Sequence, residues 1–122
     1  MTSANPAILV VEDDVLLRLM AVDIVEAAGF EALSAASADE ALSILEARAY
    51  DILLMFTDVQ MPGSMDGLGL AHAVHDRWPP VALIVTSGRC HIEAKDLPDG
   101  GRFMAKPYDV DALSRAFHEL AA

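Results

Sequence analysis

Short apolar runs alternate along this chain with longer stretches in which apolar residues recur at helical spacing, and few folds satisfy that pattern. The first run, Ala7 to Val11, and the fourth, Val81 to Thr86, are almost entirely apolar, which is typical of strands buried on both faces. Because strands and helices alternate, we expect an α/β fold, a parallel sheet with helices on both faces. The predicted strands are Ala7 to Val11, Phe30 to Ala35, Asp51 to Thr57, Val81 to Thr86 and Arg102 to Ala105.

Four helices are predicted between and after these strands, and residues at the ends of the first one support it. Asp14 is suited to cap its N-terminus, and Gly29 to end it in a left-handed conformation. The stretch from Gly88 to Gly101 contains several helix-breaking residues, so any helix there is short, from about Ile92 to Asp96. The predicted helices are Val15 to Ala28, Ser37 to about Arg48, Asp66 to Arg77 and Asp109 to Leu120.

Charge and length argue against several classes of protein. Eight Lys and Arg residues against 19 Asp and Glu residues give a net charge of −11, which disfavours nucleic-acid binding because that binding depends largely on cations. No apolar run approaches the roughly 18 residues that a membrane span requires, and no apolar signal region begins the chain. A single cysteine, Cys90, excludes an internal disulfide. We therefore expect one cytoplasmic domain, residues 1–122, without an output domain.

Polar side chains follow the predicted strands at the points where the strands end. In an open parallel sheet, ligands bind at the carboxyl ends of the strands, so these side chains are expected to meet at one edge. In chain order they are Glu12, Asp13, Asp14, Asp58, Thr86, Ser87 and Lys106.

The chemistry of this group favours a divalent cation and phosphate. Neighbouring carboxylates repel one another and raise each other's pKa values, and a cation such as Mg²⁺, which prefers oxygen ligands, relieves that repulsion. A carboxylate such as Asp58 can attack phosphorus and form an acyl phosphate. Lys106 and the Thr86 hydroxyl are suited to bind the phosphoryl oxygens.

Four segments in this order resemble the receiver domains of response regulators in two-component signalling. Each segment alone is weakly specific, but together they span the whole chain. They are Ile8-Leu9-Val10-Val11-Glu12-Asp13-Asp14, Thr57-Asp58-Val59-Gln60-Met61-Pro62-Gly63, Val85-Thr86-Ser87-Gly88 and Phe103-Met104-Ala105-Lys106-Pro107-Tyr108.

The resemblance implies a (βα)5 doubly wound, flavodoxin-like fold with strand order 2-1-3-4-5. It also implies that Asp58 is the phosphoacceptor and that Glu12 and Asp13 form the acid pair, with Asp13 the direct Mg²⁺ ligand. The backbone carbonyl of Gln60 is implied as a further metal ligand.

The other site residues follow from the same resemblance. Thr86 and Lys106 are implied to bind the phosphoryl group. Phe103 occupies the aromatic position that moves inward when the threonine is drawn to the phosphate. The Lys106–Pro107 peptide is expected to be cis.

The function implied is that of a stand-alone receiver. A histidine kinase or histidine phosphotransfer protein is expected to donate a phosphoryl group to Asp58, and the resulting conformational switch to act on a downstream protein. Such a domain accepts a phosphoryl group, with possible autodephosphorylation, and is not a turnover enzyme. We expect a monomer or a weak homodimer.

The chain also departs from the family pattern in its third strand. The stretch from Asp51 to Asp58 is expected to carry an extra pair of residues within Leu53 to Phe56. Either the strand starts earlier or it bulges near the site. Ser64 is expected to be a further insertion, in the loop that follows.

Three alternatives stay open. The irregular third strand and fourth helix favour a protein-binding module that no longer uses phosphorylation. A small Mg²⁺ phosphohydrolase is a second alternative, although the Asp-x-Asp pair of such enzymes is replaced here by Glu12 and Asp14. A flavin-binding protein is disfavoured because the loop after the first strand is acidic rather than phosphate-binding.

Overall fold

The computed structural model describes residues 6–89 and 91–121, which form one five-stranded parallel sheet in the predicted order β2-β1-β3-β4-β5. The strands are β1 (Ala7–Val11), β2 (Glu31–Ala35), β3 (Ile52–Asp58), β4 (Ala82–Ser87) and β5 (Arg102–Ala105). The helices are α1 (Val15–Ala27), α2 (Ala38–Arg48), α3 (Gly67–Arg77) and α4 (Val110–Ala121). All nine predicted elements are confirmed: the bounds of β1 and β5 agree with the prediction, and those of the other seven differ by one residue at one or both ends.

Two hydrophobic cores lie on opposite faces of the sheet. Leu9 of β1 packs toward α2 and α3 in one core, whereas its neighbours Ile8 and Val10 pack toward α1 and α4 in the other. This alternation follows from the two-residue period of a strand. Burial on both faces therefore explains why the central strands are apolar almost throughout.

The predicted ends of α1 are confirmed. The Asp14 side chain accepts a hydrogen bond of 3.0 Å from the Leu17 backbone N–H, which satisfies a donor that the helix itself leaves unpaired. Gly29 follows the C-terminus with φ of +97°, a conformation that glycine adopts without a steric penalty. The cap places the first turn of α1 directly after the acidic residues of β1.

The third strand does bulge, but the expected position of the bulge near the site is wrong. Ala7 pairs with Ile52 but Ile8 pairs with Leu54, so a single residue, Leu53, is inserted as a bulge. Leu53 and Leu54 consequently face the same core. The bulge lies at the start of β3, far from Asp58, and the register beyond it is regular.

The segment between β4 and β5 contains a 3₁₀ turn, Ala94–Asp96, within its described residues. The turn is shorter than the predicted helix from Ile92 to Asp96. Asp96 fixes it, since its carboxylate accepts a 2.9 Å hydrogen bond from the Glu93 backbone N–H, and its carbonyl oxygen lies 2.7 Å from Nε2 of His72 on α3. Among the described residues, no helix has both the length and the apolar character to cross a membrane.

Candidate functional site

The carboxyl ends of the strands form a cleft of about 370 Å³, as the sequence predicts. Asp58 ends β3 with 6% of its surface exposed and pairs in register with Thr86 of β4. Burial of a carboxylate is costly unless it is compensated by charge or hydrogen bonds. The residues lining the cleft are Glu12, Asp13, Asp14, Leu17, Asp58, Gln60, Gly88, Arg89 and Lys106.

Lys106 provides that compensation by bridging two carboxylates. Its Nζ atom donates a hydrogen bond of 3.1 Å to Glu12 Oε1 and lies 3.4 Å from Asp58 Oδ1. Burial acts to lower the pKa of Lys106, but the hydrogen bond to Glu12 and the charges of both carboxylates outweigh it, so that the pKa is raised. Lys106 therefore carries a positive charge at the floor of the cleft at neutral pH.

Burial and hydrogen bonding change the acidity of Glu12. Its Oε2 atom accepts a hydrogen bond of 3.2 Å from the Asp14 backbone N–H. Burial raises the pKa of Glu12, and the Asp58 charge adds to that effect, whereas the contacts with Asp14 and Lys106 oppose it. Burial is the main cause of the increase, so the contacts of Glu12 with the protein do not fully compensate for its removal from water.

The acidic group fits a divalent cation. Glu12, Asp13 and Asp58 each place a carboxylate oxygen within 4.8 Å of the other two. Asp58 Oδ1 is buried and accepts no hydrogen bond from the described residues, although it lies near Lys106 in an ion pair. Asp13 is exposed at the rim. The three oxygens therefore suit an oxygen-preferring ion such as Mg²⁺ that keeps some of its water ligands.

Thr86 and Phe103 lie near the cleft without reaching Asp58. The Thr86 hydroxyl is buried and donates a 2.6 Å hydrogen bond to the carbonyl oxygen of Met104 on β5. Phe103 is half-buried and pairs in register with Val85. The structure thus brings Glu12, Asp13, Asp58 and Lys106 together but does not place the Thr86 hydroxyl or the Phe103 ring in that group.

A hydrogen-bonded turn forms the side of the cleft next to β4. Ser87 Oγ donates to Gln60 Oε1 at 3.1 Å and accepts from the Arg89 backbone N–H at 3.2 Å. These contacts join the loop after β3 to the turn after β4.

Arg89 and Leu17 also line the cleft, and the sequence reasoning does not predict either of them. Arg89 could have been identified from the sequence, because it is a basic residue just beyond Thr86 at the end of a strand. For Leu17 the sequence gives no indication other than its position in the first turn of α1.

The loop after β3 depends on a glycine that no larger residue can replace. A Cβ atom built on Gly67 lies 1.7 Å from the backbone oxygen of Asp58. The Gly67 N–H donates a 2.9 Å hydrogen bond to the carbonyl of Val59. This close approach holds the N-terminus of α3 against the end of β3 and fixes the backbone of Asp58.

An apolar surface borders the cleft on the side of α1. Leu16 is 65% exposed, Leu19 56% and Met20 51%. A shallow groove beside them runs between α1 and the start of α4, and it shares Leu17 and Lys106 with the acidic cleft. We call the exposed side chains Val15, Leu16, Leu19, Met20 and Val110 the apolar rim.

Comparisons with known proteins agree with this architecture. The family model for the response regulator receiver domain matches residues 8–118. The chain is 37% identical over 114 residues to the C4-dicarboxylate transport transcriptional regulatory protein DctD of Rhizobium meliloti, and 30% identical over 121 residues to the sensor kinase CckA of Brucella abortus. These matches cover 91% and 97% of the chain but only 24% and 13% of the two relatives, so the chain spans less than a quarter of their lengths.

Solved structures give the same result. The receiver domain of the hybrid histidine kinase CckA is 32% identical with a TM-score of 0.82, covering 95% of this chain and 99% of that one. A response regulator receiver protein from Pseudomonas putida is 30% identical with a TM-score of 0.83, covering 97% and 99%. The strand order, the acidic cleft and the match over 8–118 together show that this chain belongs to the response-regulator receiver domain family.

Proposed function

We propose that the protein accepts a phosphoryl group on Asp58 from the phosphohistidine of a histidine kinase or histidine phosphotransfer protein. The observation that supports this most is the state of the Asp58 carboxylate. It lies at the end of a central strand, its buried Oδ1 accepts no hydrogen bond from the described residues, and the Lys106 ammonium lies 3.4 Å away. An ionised carboxylate is already a nucleophile and requires no general base.

In the proposed step, an Asp58 oxygen attacks the phosphorus of the donor. A P–O bond forms as the P–N bond breaks, and the electron pair of that bond stays on the imidazole nitrogen of the donor. Asp58 then carries an acyl phosphate. Lys106 lies where it can bind a phosphoryl oxygen while keeping its contact with Glu12, so its charge stabilises the transferred group without a large rearrangement.

The metal of this site is proposed to be Mg²⁺. Asp13, Asp58 and the Gln60 backbone carbonyl are its proposed ligands, and Glu12 completes the acid pair. Bound Mg²⁺ supplies positive charge that stabilises the phosphoryl oxygens during transfer. The three carboxylate oxygens of Glu12, Asp13 and Asp58, which lie within 4.8 Å of one another, support such a cation.

Conformational switching is proposed to start from the Thr86 side chain. Its hydroxyl is held by Met104 on β5, the strand that carries Phe103. Rotation of Thr86 toward a phosphoryl oxygen breaks that 2.6 Å hydrogen bond and frees the space beside β5. The equilibrium between the two arrangements then depends on phosphorylation, and a downstream protein is proposed to recognise the changed surface.

The apolar rim supports a protein as the donor. Side chains such as Leu16 and Leu19 are more than half exposed on α1, the helix whose Leu17 lines the cleft, and exposed apolar patches beside a site are typical of protein contacts. A donor that covers the rim excludes water while its phosphohistidine enters the cleft. We expect polar substitution of both leucines to slow transfer from a phosphohistidine protein and to leave acetyl phosphate reactivity unchanged.

Incubation with acetyl phosphate and Mg²⁺, followed by intact-protein mass spectrometry, tests the proposal. We expect the mass to increase by one phosphoryl group and the increase to be absent in Asp58→Asn. Decay of the labelled protein after donor removal measures autodephosphorylation. An equal mass gain in the variant, or none in the wild type, contradicts the assignment.

The short segment between β4 and β5 favours a second candidate, a binding module that acts without phosphorylation. The 3₁₀ turn Ala94–Asp96 gives this face a different surface from that of a full helix. The bulge at Leu53 lends no support to this candidate, since it lies far from Asp58. Equal partner capture by the wild type and by Asp58→Asn supports the binding module, whereas phosphorylation-dependent capture contradicts it.

A further inference from the structure

The charge of the acidic cleft poses a difficulty for an incoming phosphoryl group. Four of the nine lining residues are carboxylates and only two, Lys106 and Arg89, are cations. Lys106 is already shared between Glu12 and Asp58 at 3.1 and 3.4 Å. With a net charge of −11 on the whole chain, a phosphoryl donor that approaches the cleft meets repulsion before it reaches Lys106.

Arg89 occupies the position where that repulsion can be offset. It is exposed at the rim of the cleft, in the turn after β4. Its backbone N–H is held by Ser87 Oγ at 3.2 Å, and Ser87 in turn contacts Gln60. The turn is therefore anchored to the loop that follows Asp58, which keeps Arg89 at the mouth of the cleft.

The Arg89 guanidinium makes no ion pair or hydrogen bond with residues 6–89 and 91–121. By contrast, Arg48, Arg77 and Arg102 each pair with a carboxylate. An arginine presents up to five N–H donors in a planar arrangement that matches phosphate oxygens. A guanidinium left uncommitted beside four carboxylates is thus available to an anion.

We propose that Arg89 is a second phosphate-binding residue, which contacts the oxygens of the incoming phosphoryl group at the cleft mouth and favours donors of higher net negative charge. This inference rests on the proposed function. In the test reaction, an Asp58 oxygen attacks acetyl phosphate, the new P–O bond forms, and acetate leaves with the electron pair. Arg89 acts on the encounter and binding of the donor, and Lys106 acts deeper in the cleft.

The test compares second-order rates of phosphorylation by two small donors, measured by intact-protein mass spectrometry with Mg²⁺. Acetyl phosphate is a dianion at neutral pH, whereas phosphoramidate has a protonated nitrogen and therefore only a single net negative charge. In Arg89→Ala we expect the acetyl phosphate rate to fall about three- to tenfold and the phosphoramidate rate to fall by less than about twofold, because the attraction scales with donor charge. The difference should shrink in high salt.

Two further variants distinguish an effect of the Arg89 charge from an effect of the substitution on the structure or on the net charge of the protein. Arg89→Lys keeps the charge and should retain most of the acetyl phosphate rate. Arg115→Ala removes an exposed arginine of α4, changes the net charge by the same amount, and should leave both rates unchanged.

The inference is overturned if Arg89→Ala behaves like Arg115→Ala with both donors. Equal losses for the two donors with no salt dependence also overturn it, because they indicate that Arg89 only supports the turn. If the wild type is phosphorylated by neither donor, the proposed function itself fails and the inference falls with it.

Discussion

Lys106 balances two buried carboxylates with one charge, and this arrangement governs the site at the level of single residues. Glu12 and Asp58 are each 6% exposed, so each depends on compensation from the protein. A buried charge that loses its partner is strongly destabilising, because the remaining ion stays out of water. The lysine therefore contributes to folding in addition to the phosphate binding proposed for it.

Replacement of Lys106 by Met tests this dual role. In metal-free solution we expect the free energy of unfolding to fall by about 1–3 kcal/mol, because Glu12 and Asp58 lose their counter-charge. Urea unfolding followed by circular dichroism measures the change. Lys95→Met is the matched control, because Lys95 pairs with Glu93 on the surface with 79% of its side chain exposed. Equal stability of the two variants contradicts the prediction.

Tyr108 supplies a prediction about pH. Burial raises the pKa of its phenol above the usual value of about 10, and its ring packs edge-on against Phe56 at 5.6 Å. The phenol therefore stays protonated to higher pH in the folded state than in the unfolded chain. The contribution of buried Tyr108 to the free energy of unfolding is complete below the unfolded pKa of about 10, and it is lost as the pH rises through the folded pKa.

Absorbance titration checks this shift. The chain has two tyrosines, so Tyr50→Phe leaves Tyr108 as the single phenol to observe. We expect it to ionise at higher pH in the folded variant than in the same variant in urea. Coincident titration curves would falsify the prediction.

At the level of secondary-structure elements, the contact between β3 and α3 sets the geometry of the site. Gly67 begins α3 at a distance from the Asp58 carbonyl that leaves no space for a Cβ atom. The obstacle is backbone of a central strand, which cannot move aside without disturbing the sheet. If the obstructing atom belonged to a flexible side chain, that side chain could move aside at little energetic cost.

Two glycine variants of the same helix distinguish these cases. We expect Gly67→Ala to lower the free energy of unfolding by at least about 2 kcal/mol through backbone displacement and to impair phosphorylation of Asp58. In Gly69→Ala the new Cβ atom lies 3.2 Å from Met65 Cγ, which can move, and alanine favours the helix by up to about 1 kcal/mol. Thermal unfolding measures both, and a Gly67→Ala protein as stable as wild type contradicts the assignment.

Several elements could be predicted from sequence because local rules determine them. Asp14 and Gly29 mark the ends of α1 by hydrogen bonding and backbone geometry, and the rule for strand ends in parallel sheets predicts the positions of Asp58 and Lys106. The rotamer of Thr86 could not be predicted, because it depends on the Met104 carbonyl of a neighbouring strand.

At the level of the whole molecule, the sheet gathers four carboxylates and two cations at a single edge. The cleft contains residues from the ends of β1, β3 and β5 and from the turn after β4, which lie up to 94 residues apart in the sequence. Their convergence could be predicted from the topology, whereas the position of Arg89 depends on the turn geometry that Ser87 sets. Because the four carboxylates outnumber the two cations, a divalent cation bound there, as proposed, is expected to stabilise the entire domain.

Mg²⁺ should therefore stabilise the folded protein. A ligand that binds only the folded state raises its stability by about 2.7 kcal/mol when present at 100 times its dissociation constant. We expect added Mg²⁺ to shift the urea midpoint upward in the wild type, and much less in Asp13→Asn. Asp99→Asn, an exposed acidic position outside the cleft, should respond like the wild type. A shift of the same size in Asp13→Asn would exclude Asp13 as a ligand.

The bulge at Leu53 shows where this architecture tolerates a change of length. The inserted residue enters at the amino end of β3, and by Leu54 the strand has returned to register with β1. At the opposite end the backbone is fixed by the close packing of Gly67 on Asp58. The two ends of one strand thus differ in what they can accommodate: an added residue near its start is absorbed by a bulge, whereas an added residue just before Asp58 would shift the carboxylate away from the cleft.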